Sequence, residues 1–275
     1  MIARKPFRER FKDKVAIVTG GASGIGRAIV EELCKEGCSV GFTGISEIGI
    51  TTAQELADQG FDVLFCQGDM AGESFCRSAV ARTLEKWGKI NYLVNNAFSF
   101  TAKGLDATRA DWERIFFVGP VAYAVMAQLV LEPMKQQSGG AIVNMSSISA
   151  FIAQPNRWTY NAAKGAVHNL TKCMAYDLAP YNIRVNSVSP GWIWTREVLK
   201  AAEIGGGGRE TWDPIWGEYH MLRRCGEPIE CAGPTLFLLS DDASFITATD
   251  LAIDGGYMGM GPEGLGKTTV LAGSK

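Results

Sequence analysis

Tyr160 and Lys164 stand four residues apart in the run Thr159-Tyr-Asn-Ala-Ala-Lys164, and Ser147 precedes the tyrosine by thirteen residues. These three types can form a proton-transfer device. On a helix, an i, i+4 pair projects from one face. A free phenol, with a pKa near ~10, is a poor base at neutral pH, and an ammonium beside it favours the phenolate. At ~4 Å and an effective dielectric of ~20 that attraction reaches ~4 kcal/mol, about three pKa units. A serine hydroxyl at the end of the apolar run 141–145 would then hold a substrate oxygen for the tyrosine. By itself Tyr-x-x-x-Lys more often records an aromatic packed under a lysine stem. The elements around it decide between the two readings.

The first of those elements is the run Thr19-Gly-Gly-Ala-Ser-Gly-Ile-Gly26, between the β-branched segment 15–19 and a helical pattern over 25–36. Its glycines 20, 24 and 26 permit a tight turn and close backbone approach. The following helix start offers N–H donors and a positive dipole to a pyrophosphate. Gly20, Ser23, Gly24, Ile25 and Gly26 are therefore candidate cofactor contacts. The second strand-like run ends in Thr43-Gly-Ile-Ser46, with neither a carboxylate to repel a 2′-phosphate nor an arginine to attract one, which leaves NAD and NADP both open. Asp69, after the third strand-like run, is placed to meet an adenine or simply to form a turn or cap, with Met70 beside it.

Strand-like and helix-like patterns alternate along the chain. Strands are expected over 15–19, 39–43, 61–66, 90–94, 141–145, 183–188 and 250–253. Helices are expected over 25–36, 47–59, 73–87, 109–117, 121–137, 158–178 and 229–239. This predicts an α/β fold: one Rossmann-type, doubly wound parallel sheet of about seven strands with helices on both faces. Residues 1–11 are assigned to an N-terminal extension, 12–256 to a single dinucleotide-binding domain and 257–275 to a C-terminal tail. Residues 196–226 lack a clear pattern and hold Gly205-Gly-Gly-Gly208, Trp212, Trp216 and His220. They fit a substrate lid and a surface loop with packed tryptophans equally well.

The chain has 275 residues, 47% hydrophobic and 20% charged, with 27 basic against 29 acidic residues. Such a composition suits a soluble globular protein with one large core. No charge run marks a nucleic-acid stripe, and no apolar run approaches the ~20 residues that span a bilayer. The basic start lacks the apolar core of a secretory signal. Seven scattered cysteines without a C-x-x-C read as reduced, buried thiols, hence a cytoplasmic protein, and no metal site is expected. Residues 261–268 match the P-loop expression, but too little chain follows to supply its helix, so a nucleoside triphosphate site is rejected.

Taken together, these motifs resemble the short-chain dehydrogenase/reductase family over residues 12–256. The glycine run is similar to that family's cofactor loop, and Asn95-Asn-Ala97 to its element after the fourth strand. Ser147, Tyr160 and Lys164 match its catalytic serine, tyrosine and lysine. Pro190-Gly191, with Ile193 and Thr195 following, matches the segment that holds the nicotinamide carboxamide. The resemblance implies NAD(P)-dependent hydride transfer between nicotinamide and a secondary alcohol or ketone. Thr43, Asp69, Met70, Asn96, Ala97, Tyr160, Lys164, Pro190, Gly191, Ile193 and Thr195 would join the glycine loop in binding the cofactor. It also implies a homo-oligomer, a dimer or homotetramer, built on the helices over 121–137 and 158–178.

Two positions depart from the family pattern. Phe98 stands where a glycine usually follows Asn-Asn-Ala, and Gly119 where an asparagine usually supports a proton relay through the lysine. A nucleotide-binding protein with weak or no turnover is therefore the alternative reading, and Asn144 or Asn161 would have to replace the relay side chain. A hydrolase using Ser147 lacks the G-x-S-x-G elbow. The stretch 151–158 and the tryptophans after Gly191 suggest a substrate wall of Gln154, Trp158 and Trp192 beside Ser147. Amides and aromatic faces of that kind suit a sugar or polyol.

Overall fold

The computed structural model describes residue 7 and residues 9–265. Seven strands form one all-parallel sheet among the described residues: β1 (Val15–Val18), β2 (Ser39–Gly44), β3 (Val63–Gln67), β4 (Tyr92–Asn95), β5 (Gly140–Met145), β6 (Ile183–Pro190) and β7 (Asp250–Ile253). Their order is β3-β2-β1-β4-β5-β6-β7. Parallel pairing requires a crossover between neighbours, and helices supply it: α1 (Gly24–Lys35), α2 (Ile48–Asp58), α3 (Glu73–Trp87), α4 (Arg109–Phe116), α5 (Ala122–Gln136), α6 (Trp158–Leu178), α7 (Arg196–Ile204), α8 (Arg209–Gly217) and α9 (Pro228–Leu239).

Successive side chains of a strand point to opposite faces, so β1 and β4 feed two cores. Ala16, Val18 and Val94 pack with Ile29, Leu33 and Leu236 on one face. Ile17, Leu93 and Ile142 pack with Met126, Val130 and Ala175 on the other. Each such side chain contributes roughly 1.5–3 kcal/mol when fully buried. Arg184 of β6 ties α9 down: its guanidinium donates to the Leu238, Leu239 and Ser240 carbonyls at 2.6–3.0 Å, satisfying the orphan acceptors of that helix end.

Four expectations change. Phe11 is fully buried and meets the Tyr92 ring edge-on at 5.4 Å, so the folded body begins within the stretch assigned to the extension. The stretch 196–226 carries α7 and α8; the four-glycine run separates them, and Pro214 and the clustered tryptophans disguised the periodicity. The helical run Arg109–Gln136, which kinks at Gly119, is by length and composition apolar enough to cross a membrane, contrary to the reading that no such run exists. Half of its most apolar window is buried in the fold, as in a core helix. Finally, of the seven free cysteines Cys173 is exposed; the other six are buried. The P-loop-like expression ends outside the described residues, at Lys267 and Thr268.

If Phe11 belongs to the core, Phe11→Ala should cost about 3–5 kcal/mol in urea unfolding. A loss below about 1 kcal/mol would return that residue to a dispensable extension.

Candidate active site

A cleft of about 420 Å³ opens along the carboxyl ends of the strands. It lies where the strand order reverses, between β1 and β4, because the chain leaves β3 at one edge and restarts at β4 on the other side of β1. Every strand from β1 to β6 delivers a residue at or just beyond its carboxyl end to this cleft: Gly20, Thr43, Asp69, Asn96, Ser147 and Pro190 in turn.

The glycine loop has the shape of a cradle. Gly20 and Gly24 have φ of +67° and +56°. A Cβ on Gly26 would lie 2.2 Å from the Gly20 carbonyl oxygen, and one on Gly20 would lie 2.9 Å from Ala97 Cα. Only bare backbone fits, and it leaves the start of α1 open to the cleft. Asn96 locks the loop: its Nδ2 donates to the carbonyls of Thr19 and Gly20 at 3.0 and 3.1 Å. Thr19 Oγ1 in return accepts from the Asn96 and Ala97 N–H groups at 2.9 and 3.0 Å. The amide expected to touch cofactor is thus committed to shaping its loop. Thr43 is similarly occupied, accepting from Gly20 N–H at 3.2 Å.

All sixteen positions expected to hold cofactor line this one cleft: Gly20, Ser23, Gly24, Ile25, Gly26, Thr43, Asp69, Met70, Asn96, Ala97, Tyr160, Lys164, Pro190, Gly191, Ile193 and Thr195. The dinucleotide fit has a further mark in Ser146. Its hydroxyl is buried and has no partner among the described residues, and it lines the cleft beside Ser147. A buried hydroxyl of that kind costs free energy until a ligand bonds it. Asp69 is tied to Arg114 at 2.5 Å and accepts from Ala71 N–H at 3.0 Å. Desolvation raises its carboxyl, but the bonds from Arg114 and Ala71 outweigh this and hold it below the usual range.

Tyr160 and Lys164 project from the first turns of α6 into the same cleft. Ser147 reaches it from the turn after β5, its Oγ accepting from Ser149 N–H at 3.1 Å. Burial raises the Tyr160 phenol above its ordinary value, while a hydrogen bond with Ser147 and the Arg157 charge pull it back. Burial alone takes the Lys164 amine down to about 7. Nζ donates to the Met145 carbonyl at 2.7 Å and stands 5.7 Å from the centre of the Tyr160 ring. The expected pull of the ammonium on the phenol is therefore absent among the influences acting on Tyr160 here; both groups are governed first by loss of water.

The substrate wall expected from sequence does not assemble. Ser147 lines the cleft, but Gln154, Trp158 and Trp192 do not. Gln154 Oε1 accepts from the Ser149 hydroxyl at 2.7 Å, and Trp158 is half exposed. Trp192 stacks on Trp216 at 4.7 Å, and Trp216 on Trp212 at 4.9 Å and near Trp194 at 5.7 Å. His220 is buried beneath them, bonded to the Trp216 carbonyl through Nδ1 at 3.0 Å and accepting from Trp192 N–H through Nε2 at 3.3 Å. The tryptophans thus pack on one another. In place of the expected wall the cleft has Phe98 and Phe100 against the tyrosine ring, and its lining also includes Val118, Met145, Arg196 and Glu197. The departure from the family pattern marks Phe98 in the sequence as a residue that would crowd the cofactor edge or shape a substrate wall, whereas hydrophobic periodicity could not flag Phe100, which lies in a loop.

Of the relay substitutes, Asn144 is bonded through both ends of its amide, whereas Asn161 is bonded through its nitrogen and its buried Oδ1 has no partner among the described residues. Asn144 accepts from Asn95 Nδ2 at 2.9 Å and donates to Thr171 Oγ1 at 3.0 Å, while Asn161 Nδ2 donates to the Ile152 carbonyl at 2.8 Å. Gly119 sits in a π-helical turn, Phe117–Val121, that joins α4 to α5 and contains Pro120.

The family model described as enoyl-(acyl carrier protein) reductase matches residues 20–258. Cyclopentanol dehydrogenase of Comamonas testosteroni is 37% identical over 250 residues, covering 90% of this chain and 98% of that protein. The NADP-dependent (R)-specific alcohol dehydrogenase of Lentilactobacillus kefiri is 36% identical over 263 residues, with coverage of 90% and 98%. Among solved structures, the aldohexose dehydrogenase of Thermoplasma acidophilum superposes with a TM-score of 0.85 at 33% identity, covering 93% of this chain and 98% of that one.

The lowered amine gives a stability signature. Unfolding returns Lys164 towards its free value of 10.5, so between about 7 and that value the unfolded chain binds more protons than the folded one. Stability must then rise with pH across this window, with a slope approaching ~1.4 kcal/mol per pH unit, relative to a protein lacking the amine. Urea unfolding of the cofactor-free protein at several pH values, compared with Lys164→Met, should show that differential slope; parallel profiles would mean the amine keeps its solvent-like value.

Proposed function

The chain belongs to the short-chain dehydrogenase/reductase family, and from that premise we propose that it interconverts a secondary alcohol and its ketone with Tyr160 as the acid and base. The observation that carries this reading is the convergence of Ser147, Tyr160 and Lys164 on the same cleft as the glycine cradle. When bound, NAD or NADP would supply the nicotinamide that accepts or gives the hydride. The glycine loop at the head of α1 would bind its pyrophosphate, and the orphan Ser146 hydroxyl would gain a partner. The neutral residues Thr43, Gly44, Ile45 and Ser46 at the end of β2 line the cleft and suit either cofactor.

In alcohol oxidation the Tyr160 phenolate takes the hydroxyl proton; in ketone reduction the phenol returns it. Ser147 donates a hydrogen bond to the same oxygen and holds it as charge develops there. Lys164, when charged, favours the phenolate. Burial opposes both charges, so the pair is poised to respond to what fills the cleft.

The aromatic lining near Tyr160 favours a compact, largely apolar ring over a hexose. Phe100 lies nearly parallel to the Tyr160 ring at 5.7 Å, and Phe98 meets it edge-on at 5.5 Å. The sugar or polyol expectation rested on Gln154, Trp158 and Trp192, which lie outside this cleft. The relatives named cyclopentanol dehydrogenase and (R)-specific alcohol dehydrogenase fit that preference, and the aldohexose dehydrogenase of Thermoplasma acidophilum fits the sugar expectation. We also propose a homo-oligomer in which the exposed Val121, Trp158 and Tyr176 of the α5–α6 region meet a second copy. Sedimentation as a monomer at micromolar concentration would reject that assembly.

Tyr160→Phe should lower turnover by about 10²–10⁴-fold while cofactor binding, measured by calorimetry, stays close to the parent. Turnover unchanged in that variant would remove the tyrosine from the chemistry; binding by the parent with no hydride transfer to any alcohol or ketone would leave a nucleotide-binding protein. In a panel read by nicotinamide absorbance, small cyclic secondary alcohols should exceed hexoses in kcat/KM by about tenfold or more, the equivalent of ~1.4 kcal/mol in transition-state binding. Activity confined to sugars would overturn the substrate assignment.

A further inference from the structure

Phe98 and Gly119 are one feature. The Phe98 ring presents its face to Lys164, whose Nζ stands 3.6 Å from the ring centre. The same ring meets Tyr160 edge-on at 5.5 Å and Tyr123 at 6.3 Å. One of its edges fills the space where a side chain at position 119 would begin: a Cβ there would lie 2.5 Å from Phe98 Cε2 and 3.0 Å from Cζ. The turn containing Pro120 interrupts the helix and sets the bare Gly119 backbone against that edge. A side chain at 119 would require that ring or the turn itself to shift.

The buried amine depends on this arrangement. Lys164 is 2% exposed, and its one hydrogen bond among those described goes to the Met145 carbonyl at 2.7 Å. Loss of water drives it towards the neutral form, in which it cannot favour a phenolate. An aromatic face within about 6 Å opposes that tendency, because the ring quadrupole attracts the ammonium and leaves the neutral amine nearly indifferent. The titratable or charged groups facing the pair are few. Tyr123 comes from α5, and Arg157, at the head of α6, acts on the phenol. No carboxylate is among the groups acting on Lys164 or Tyr160.

We propose that Phe98 is a positioning residue of this active site: its face holds the Lys164 ammonium beside Tyr160, and the absence of a side chain at Gly119 makes the seat for that ring. This rests on the assignment of Tyr160 as the acid and base, but it can be tested without turnover. The cofactor-free protein, carrying isotope-labelled lysine, is titrated by NMR, and the Lys164 signal is identified by its loss in Lys164→Met. Phe98→Leu keeps the space largely filled with hydrocarbon while removing the π face. It should lower the midpoint of the Lys164 amine by roughly half a unit to one unit, because the ring that favours the ammonium over the neutral amine is gone. Gly119→Ala keeps the ring but displaces it, and should shift the midpoint in the same direction.

In the complete enzyme, where less ammonium is then left to favour the phenolate, the pH of half-maximal kcat for alcohol oxidation should rise. A Phe98→Leu protein that is less stable to heat yet titrates at the parent midpoint would show that the ring only fills space, and the proposal would fall. If Gly119→Ala does not fold, the Phe98→Leu titration still decides. A shifted amine in a protein that oxidises no alcohol would uphold the positioning role and reject the redox reading instead.

Discussion

The removal of one amine from water organises this site. Lys164 lies beneath the cleft floor with its Nζ on the Met145 carbonyl, and burial brings its proton affinity down to about 7. A side chain in that condition does not choose its charge by itself; the neighbouring carbonyl, ring face and phenol decide it. The other catalytic-cleft residues can be understood as the conditions under which that charge is tolerated. Ser147 steadies the phenol that the amine must influence, and Phe98 replaces part of the lost hydration with a polarisable surface.

The sheet supplies the frame that makes such burial affordable. A parallel sheet covered on both faces gathers the carboxyl ends of its strands at one rim, and the reversal of strand order between β1 and β4 leaves a crevice there. Asn95 and Asn144 link β4 to β5 below that crevice through a buried amide bond at 2.9 Å, and Asn96 fixes the glycine loop above it. The polar residues at strand ends are thus divided between those that hold the frame and those left facing the cleft, with Ser146 and Ser147 in the second group.

Much of this was legible in the chain because its cause is local. The seven strands, the cradle glycines and the Tyr160–Lys164 spacing each follow from residue type and period, and they fall where the pattern put them. What escaped the reading has non-local causes. The space that Phe98 fills beside Gly119 connects a loop to a helix break twenty-one positions away, and either residue alone reads as a defect. Trp192 and Gln154 have the chemistry of ligand contacts, but their partners, Trp216 and Ser149, divert them. The two helices within 196–226 were hidden by glycine and proline, whose cost is outweighed by the aromatic packing they allow.

The tryptophan stack also couples parts of the molecule that could otherwise move separately. Trp192 and Trp194 belong to the segment after β6, and Trp212 and Trp216 belong to α8. Gly191 and Ile193 flank Trp192 and line the cleft, as do Arg196 and Val198 at the head of α7. A swing of the α7–α8 pair large enough to widen the mouth drags the backbone at Gly191 and Ile193 along with it. Widening the mouth at α7 without disturbing Gly191 would therefore require Trp192 to part from Trp216.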